Sequence, residues 1–405
     1  MKKNVAIIIH KLYGGGAEHA ACNLSLFLQE KCSVTLVAFD ARNAAYPHTE
    51  NTVDMGVPAA GNLFERLLLL PRRVAKLRKI KKERAIDVSV ALLPGPSMAS
   101  ALSRQKGEKT IMSVRNYLSM QEGNKGLSAL KTKFTASLSD CVVAVSRMAA
   151  LDLHENFNIP EGKLRVIYNA VDPGLLAHEY DRSMPWLSGD GPVVITMGRL
   201  HEQKAHWRLI RAMAEVVKAV PNAKLVILGS GEYQQRLSAL IKELGLEKNV
   251  FLPGYVVSPH GYVRRADLFV LSSYYEGMPN AMLEAMACGV PVVSTDCPSG
   301  PREILAPDTS INVVADGVER AKYGVLVPPL EKGGFNATEP LSASEKHLSK
   351  AILALLSDKE LRADYARRAK SRAADFSPET IAGQWLSLIQ SLANGNHSAS
   401  SSEGK

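Results

Sequence analysis

The sequence predicts an α/β protein made of two doubly wound parallel-sheet domains. Three observations predict it. The chain has 405 residues, enough for two domains that each bury a core of their own. It opens on a β–α–β unit, and a fresh βα series begins after a polar stretch at 176–192. Further on, Leu268-Phe269-Val270-Leu271, a loop, a short helix and Pro291-Val292-Val293 read as strand, loop, helix and strand.

Bulk properties narrow the class. With 46% hydrophobic and 22% charged residues, the composition is that of an ordinary globular protein. No apolar run reaches the roughly 18 residues of a membrane span. The start, Met1–His10, reads as a strand without the apolar core and cleavage site of a signal peptide. Five cysteines, odd in number and without a C-x-x-C pair, point to reduced thiols in a cytoplasm. No Cys/His cluster has metal-ligand spacing. The net charge of +9 is uneven: residues 1–189 hold 25 Lys+Arg against 17 Asp+Glu, residues 190–405 hold 24 against 23. The amino-terminal half is therefore the one expected to meet an anionic partner. Nucleic acid is disfavoured, since no aromatic-basic interleaving accompanies the charge.

Taken in order, Val5–Ile9 is a continuous apolar run, as in a strand covered on both faces. The loop Tyr13-Gly14-Gly15-Gly16-Ala17-Glu18 follows, then a helix from about 17 to 29 and the strand Val34–Ala38. Glycines at a first crossover let backbone approach a ligand. The cluster is not G-x-G-x-x-G, which disfavours a nicotinamide cofactor. Residues 66–84 read as a basic helix in which Val74, Leu77 and Ile80 share one face, a pattern suited to an anionic membrane surface. Val88–Leu93, Lys109–Val114 and Cys141–Ser146 read as further strands, the second running into Arg115 and Asn116, with Ser146 a candidate helix cap.

The second series starts with Val193–Met197. Arg199 and Lys204 follow on the loop at that strand's carboxyl end, where open α/β sheets bind ligands. As isolated residues they read as surface charges, while as a pair of fixed cations at this edge they could also meet an anionic ligand. Lys224–Gly231 and Asn249–Val256 are the next strand-and-turn segments. Then comes Tyr275-Glu276-Gly277-Met278-Pro279-Asn280-Ala281-Met282-Leu283-Glu284, with Pro279 expected at the first helical position. The helix start, near Asn280 and Ala281, offers N–H groups to an anion. Glu276 and Glu284 can accept hydrogen bonds from sugar hydroxyls, and the pair suggests a ligand with both phosphate and sugar. Gly289 closes the helix.

The stretch Glu276–Val293 resembles the signature of retaining glycosyltransferases of family 4. The resemblance extends to the Gly-Gly-Ala-Glu loop, to Arg165–Asp172, to Gly198-Arg199-Leu200…Gln203-Lys204 and to Gly300-Pro301-Arg302-Glu303-Ile304-Leu305. It implies the GT-B architecture, two Rossmann-like domains facing across a cleft: 1–175 on the acceptor side, a linker at 176–192, 193–377 for the nucleotide sugar, a terminal helix at 378–393 returning to the first domain, and a disordered tail at 394–405. It implies transfer of a hexose or N-acetylhexosamine from a nucleotide sugar, UDP-linked, to a sugar hydroxyl of a glycolipid or polyprenyl-diphosphate oligosaccharide at the inner face of the cell membrane. Arg199 and Lys204 would hold the diphosphate, Glu276 the donor sugar and Glu284 the ribose. Gly15, Gly16, Val256, Gly277, Met278, Asn280 and Ala281 would line the donor, with Arg115 and Asn116 toward the acceptor. No D-x-D occurs, so neither a divalent metal nor another cofactor is expected. Two other readings stay open: a related epimerase or phosphorylase, and a nucleotide-sugar-binding scaffold without catalysis.

Overall fold

The computed structural model describes residues 2–57, 63–121, 123, 125–171, 184, 186 and 190–395. They form two compact units, Met1–Ala170 with Pro378–Lys405 and Val171–Ser377.

In unit 1 the chain runs β1 (Asn4–Lys11), α1 (Gly16–Leu28), β2 (Ser33–Asp40), β3 (Thr52–Asp54), α2 (Leu63–Glu83), β4 (Val88–Leu92), α3 (Pro94–Leu102), β5 (Lys109–Val114), α4 (Leu118–Gln121), α5 (Gly126–Leu138), β6 (Cys141–Ala144), α6 (Arg147–Phe157) and β7 (Leu164–Val166). The sheet is parallel, in the order β3-β2-β1-β4-β5-β6-β7. Strand order reverses between β1 and β4, which makes their carboxyl ends the natural crevice of the sheet. β1 shows why an unbroken apolar run is needed. Val5, Ile7 and Ile9 pack into one core with α1, while Ala6 and Ile8 enter another on the opposite face.

Unit 2 repeats the plan: β8 (Val193–Met197), α7 (His206–Ala219), β9 (Lys224–Leu228), α8 (Gln234–Glu243), β10 (Val250–Gly254), α9 (His260–Val263), β11 (Leu268–Leu271), α10 (Asn280–Ala287), β12 (Val292–Thr295), α11 (Pro301–Leu305), β13 (Glu319–Arg320), β14 (Val325–Val327), α12 (Ala343–Ser357) and α13 (Lys359–Ala374). Its sheet has the order β10-β9-β8-β11-β12-β14-β13. Only β13 runs antiparallel among its described strands. Here the order reverses between β8 and β11.

Several features differ from the sequence reading. The units part at Ala170, earlier than 175, because the Val171 N–H donates to Phe376 O (2.9 Å) and ties that segment to unit 2. Most of 176–192 and residues 396–405 lie outside the described residues, but Trp186 is not a loose linker residue. It is buried, its ring centroid 5.6 Å from that of Tyr262. The last helix, α14 (Pro378–Ala393), packs Ile381, Trp385 and Ile389 into the core of unit 1. Helix α2 turns its apolar side inward: Leu77 is buried, with Val74 and Ile80 packed against the same core. The face expected at a membrane is therefore occupied. Two of its cations are also inside, Lys81 paired with Glu108 at 2.6 Å and Arg73 over the Phe39 ring.

Candidate active site

The switch point of unit 2 gathers the residues that the sequence singles out. The loop after β8 and the loop after β11 flank it, and hydrogen bonds lace the two together. Gln203 Nε2 donates to Tyr275 O (2.8 Å), the Tyr274 N–H to Gln203 O (2.8 Å) and Ser272 Oγ to Lys204 O (2.9 Å). The β9 loop braces them from the other side: a Cβ at Gly229, where φ is +139°, would lie 2.0 Å from Gly198 O. Only glycine allows that approach.

On this frame Lys204 Nζ lies 2.6 Å from Glu276 Oε1, with side chains 17% and 7% exposed. Ser273 Oγ donates to the same oxygen, and Glu276 Oε2 accepts no hydrogen bond among the described residues. Arg199 is exposed and its guanidinium makes no ion pair among the described residues. Burial raises the Tyr275 pKa, Glu202 and Glu276 add to the rise and Arg199 opposes it, which sets these charges around one phenol. Beneath Lys204, His206 is buried. Burial and the Lys204 charge pull its pKa down to about 3, so it adds no competing positive charge. An exposed guanidinium, a half-buried ammonium and a carboxylate with one open oxygen thus share one sheet edge.

The chain after Glu276 departs from expectation at the helix. Pro279 is the N-cap and α10 starts at Asn280, without a side-chain cap. The Asn280 N–H donates to Met278 O (2.9 Å) and is not open to an anion as expected. The cause is a tight turn at Met278–Asn280. Gly277 and Met278 are buried, Ala281 half-buried, and Gly277 O accepts from Ser299 Oγ (2.8 Å). Glu284 lies one turn into the helix, its Oε2 3.0 Å from His260 Nε2. Val256 is half-buried on the loop after β10, between Tyr255 and Val257, both exposed.

In unit 1 the sequence-selected residues lie at the equivalent sheet edge. Gly15 is the N-cap of α1 and Gly16 its first residue. A Cβ on Gly15 would lie 2.5 Å from Glu18 Oε2, so the space above it holds that carboxylate. Arg115 follows β5 and reaches only Ser113 Oγ (3.4 Å) among the described residues, and burial lowers its pKa to about 10. Asn116 is engaged locally, its Oδ1 with the Tyr117 N–H (3.0 Å) and its Nδ2 with Gln121 Oε1 (2.8 Å).

Ser273, Gln203, Ser272 and His260 are not foreseen from the sequence. Ser273 stands three residues before Glu276 in the motif, a spacing that could have suggested it. His260 carries no such signal, since its partner is 24 residues away.

Two Rossmann-like parallel-sheet units fit the GT-B architecture, and comparison with known proteins agrees. Residues 14–175 match the model of Glycosyltransferase Family 4, and residues 182–323 that of glycosyl transferases group 1. An uncharacterized glycosyltransferase of Methanocaldococcus jannaschii is 32% identical over 315 residues, 75% of this chain and 77% of that protein. The Campylobacter jejuni N-acetylgalactosamine-N,N'-diacetylbacillosaminyl-diphospho-undecaprenol 4-alpha-N-acetylgalactosaminyltransferase is 29% identical over 96% of this chain and 99% of its own length. Anabaena Alr3699/HepE, solved with UDP, superposes with a TM-score of 0.73 over 96% of this chain and 100% of its own, at 19% identity. This chain belongs to glycosyltransferase family 4.

Proposed function

We propose that this glycosyltransferase moves a hexose or N-acetylhexosamine from a UDP-sugar to a sugar hydroxyl of a polyprenyl-diphosphate-linked oligosaccharide or glycolipid, with retention and without a divalent metal. The observation that carries the reading is the Lys204–Glu276 pair at the switch point beside Arg199, which makes no ion pair among the described residues. The C1–phosphate bond breaks as the acceptor oxygen bonds C1 from the same face, and the acceptor's proton passes to the departing phosphate. Charge that grows on that phosphate is met by Arg199 and Lys204. Glu276 Oε2 accepts from a donor-sugar hydroxyl, while Lys204 and Ser273 on Oε1 hold the carboxylate in place. Glu284, held by His260, takes the ribose. The Campylobacter relative is named for transfer onto a diphospho-undecaprenol-linked sugar with alpha linkage. An alpha product from an α-linked nucleotide sugar keeps its configuration. A lipid-linked acceptor also implies work at the inner face of the membrane, where the exposed cations of α2 meet anionic headgroups.

The test is a transfer assay with isotope-labelled UDP-sugars, with and without a polyprenyl-diphosphate oligosaccharide. Label should reach the acceptor as an alpha glycoside, with EDTA present. Label that rearranges or is released without acceptor would identify an epimerase or phosphorylase. Loss of activity in EDTA, restored by Mn²⁺, would overturn metal independence.

A further inference from the structure

Arg115 stands at the carboxyl edge of the unit 1 sheet, just past β5, as Arg199 stands just past β8 in unit 2. Other arginines that reach into the protein are matched there. Arg208 and Arg211 share Glu345, and Arg302 is held by Asp296 and Glu319. Arg73 lies over the Phe39 ring and donates to Val57 O (3.3 Å). Arg115 has nothing comparable. Its Nε is shut from water without a hydrogen bond, its Nη1 reaches Ser113 Oγ at 3.4 Å, and its Nη2 has no partner among the described residues. The residue is nevertheless half-buried rather than closed in. A guanidinium taken from water without a counter-charge costs stability. Such a group calls for a partner that the chain itself does not supply.

The turn that presents it is braced. Asn116 uses one end of its amide on the Tyr117 N–H and the other on Gln121, and the Ser119 N–H donates to Asp152 Oδ2 of α6 (3.1 Å). The guanidinium is thus set in place before a ligand arrives, which lowers the cost of binding. The charges around it say which anion fits. Burial lowers the Arg115 pKa, and among the described residues neither a carboxylate nor a second cation adds to the shift. The diphosphate proposed for unit 2 has two cations to meet it, Arg199 and Lys204. A lone guanidinium suits a single charge, and its planar fork matches a carboxylate through two parallel N–H···O bonds. In a sugar, that group is the carboxylate of a hexuronic acid.

We propose that Arg115 is a specificity-determining residue that selects an acidic acceptor, pairing with the carboxylate of a hexuronic acid in the glycan to be extended. This rests on the transferase reading and names its acceptor class. Full-length protein is assayed with labelled UDP-sugars and alkyl glycosides of glucuronic, galacturonic and mannuronic acid, each beside its neutral uronamide. One hexuronate should be preferred over its uronamide by on the order of ten- to a hundredfold in kcat/KM, carried by KM. Arg115→Gln should abolish that preference, and Arg115→Lys should restore part of it. The melting temperature of ligand-free Arg115→Gln should not fall, because the fold loses only the contact with Ser113. Saturation-transfer NMR on the same glycosides, without UDP-sugar, tells the two readings apart. Binding that depends on Arg115 with no transfer in any assay would leave the carboxylate site standing and sink the transferase. Transfer onto uronamides as fast as onto hexuronates would do the reverse. An acid preference that survives in Arg115→Gln would also overturn the proposal. So would a preference found only for a UDP-hexuronate donor, or displacement of the bound hexuronate by an equal concentration of inorganic pyrophosphate, which would make the ligand a phosphate.

Discussion

Lys81 with Glu108 in unit 1, and Lys204 with Glu276 in unit 2, each set Nζ 2.6 Å from Oε1. Their surroundings differ. Lys81 and Glu108 are fully buried, and their remaining capacity is used: Lys81 Nζ also reaches Ser100 O (2.9 Å) and Ser100 Oγ (3.1 Å), while Glu108 accepts from Ser89 Oγ and the Gln105 N–H. Burial lowers the Lys81 pKa and Glu108 pulls the other way. Lys204 Nζ has Glu276 as its one partner among the described residues, and Glu276 keeps an oxygen open. The first pair fastens α2 to the segment before β5. The second lies where strand order reverses, with a donor and an acceptor unused. An equal distance thus carries no functional meaning. What distinguishes a site is the hydrogen-bonding capacity left over, and which edge of the sheet it faces.

The largest effect should come from breaking the closed pair. Lys81→Met leaves the Glu108 carboxylate buried and unpaired, and is expected to cost about 3–5 kcal/mol of stability. Adding Glu108→Gln should recover part of it, because the stranded charge is gone. Denaturant unfolding measures both, and turnover of the folded fraction should stay at wild type. A Lys81→Met protein as stable as wild type would show that the pair holds nothing together.

At the open pair the same substitution should act on turnover. In the proposed mechanism Lys204→Met removes a charge that meets the departing phosphate, and kcat/KM should then fall on the order of 10²–10³-fold, about 3–4 kcal/mol. Arg199→Met should lose activity with its melting temperature unmoved, since that side chain is exposed and holds no partner among the described residues. Steady-state kinetics beside thermal melts give both readings. Full activity in both variants would make the switch-point charges as structural as Lys81.

Much of this arrangement was legible in the sequence. Apolar runs such as Val5–Ile9 and Leu268–Leu271 read as strands covered on both faces, and their order put Arg199, Lys204 and Glu276 on loops at strand ends and Glu284 in the helix that follows. What could not be read depends on which side of an element faces inward. The stripes of α2 and α5 have the same helical period, yet α2 buries its apolar side and α5 exposes Leu127, Leu130 and Phe134. Position 280 reads as an open helix start, but the turn at Met278 takes up its N–H. Helix α13 gives little signal because its buried face is only Tyr365, Ala369 and Ala373, too small to stand out among its charges.

The smallest effect sharpens the distinction within unit 2. His260 and Glu284 also form a carboxylate pair at 3.0 Å, with side chains 8% and 16% exposed, less closed than Lys81–Glu108. If Glu284 binds the ribose, His260 is a positioning residue: it fixes the carboxylate without touching the sugar. His260→Phe frees Glu284 to rotate, and the indirect loss should be roughly 1 kcal/mol or fivefold. It should appear in the Kd for UDP, read by calorimetry, and in KM for the donor, with kcat nearly unchanged. A merely structural histidine would lower the melting temperature and leave donor affinity alone. Rescue by His260→Gln, which restores a donor from another geometry, would separate the hydrogen bond from the ring that provides it.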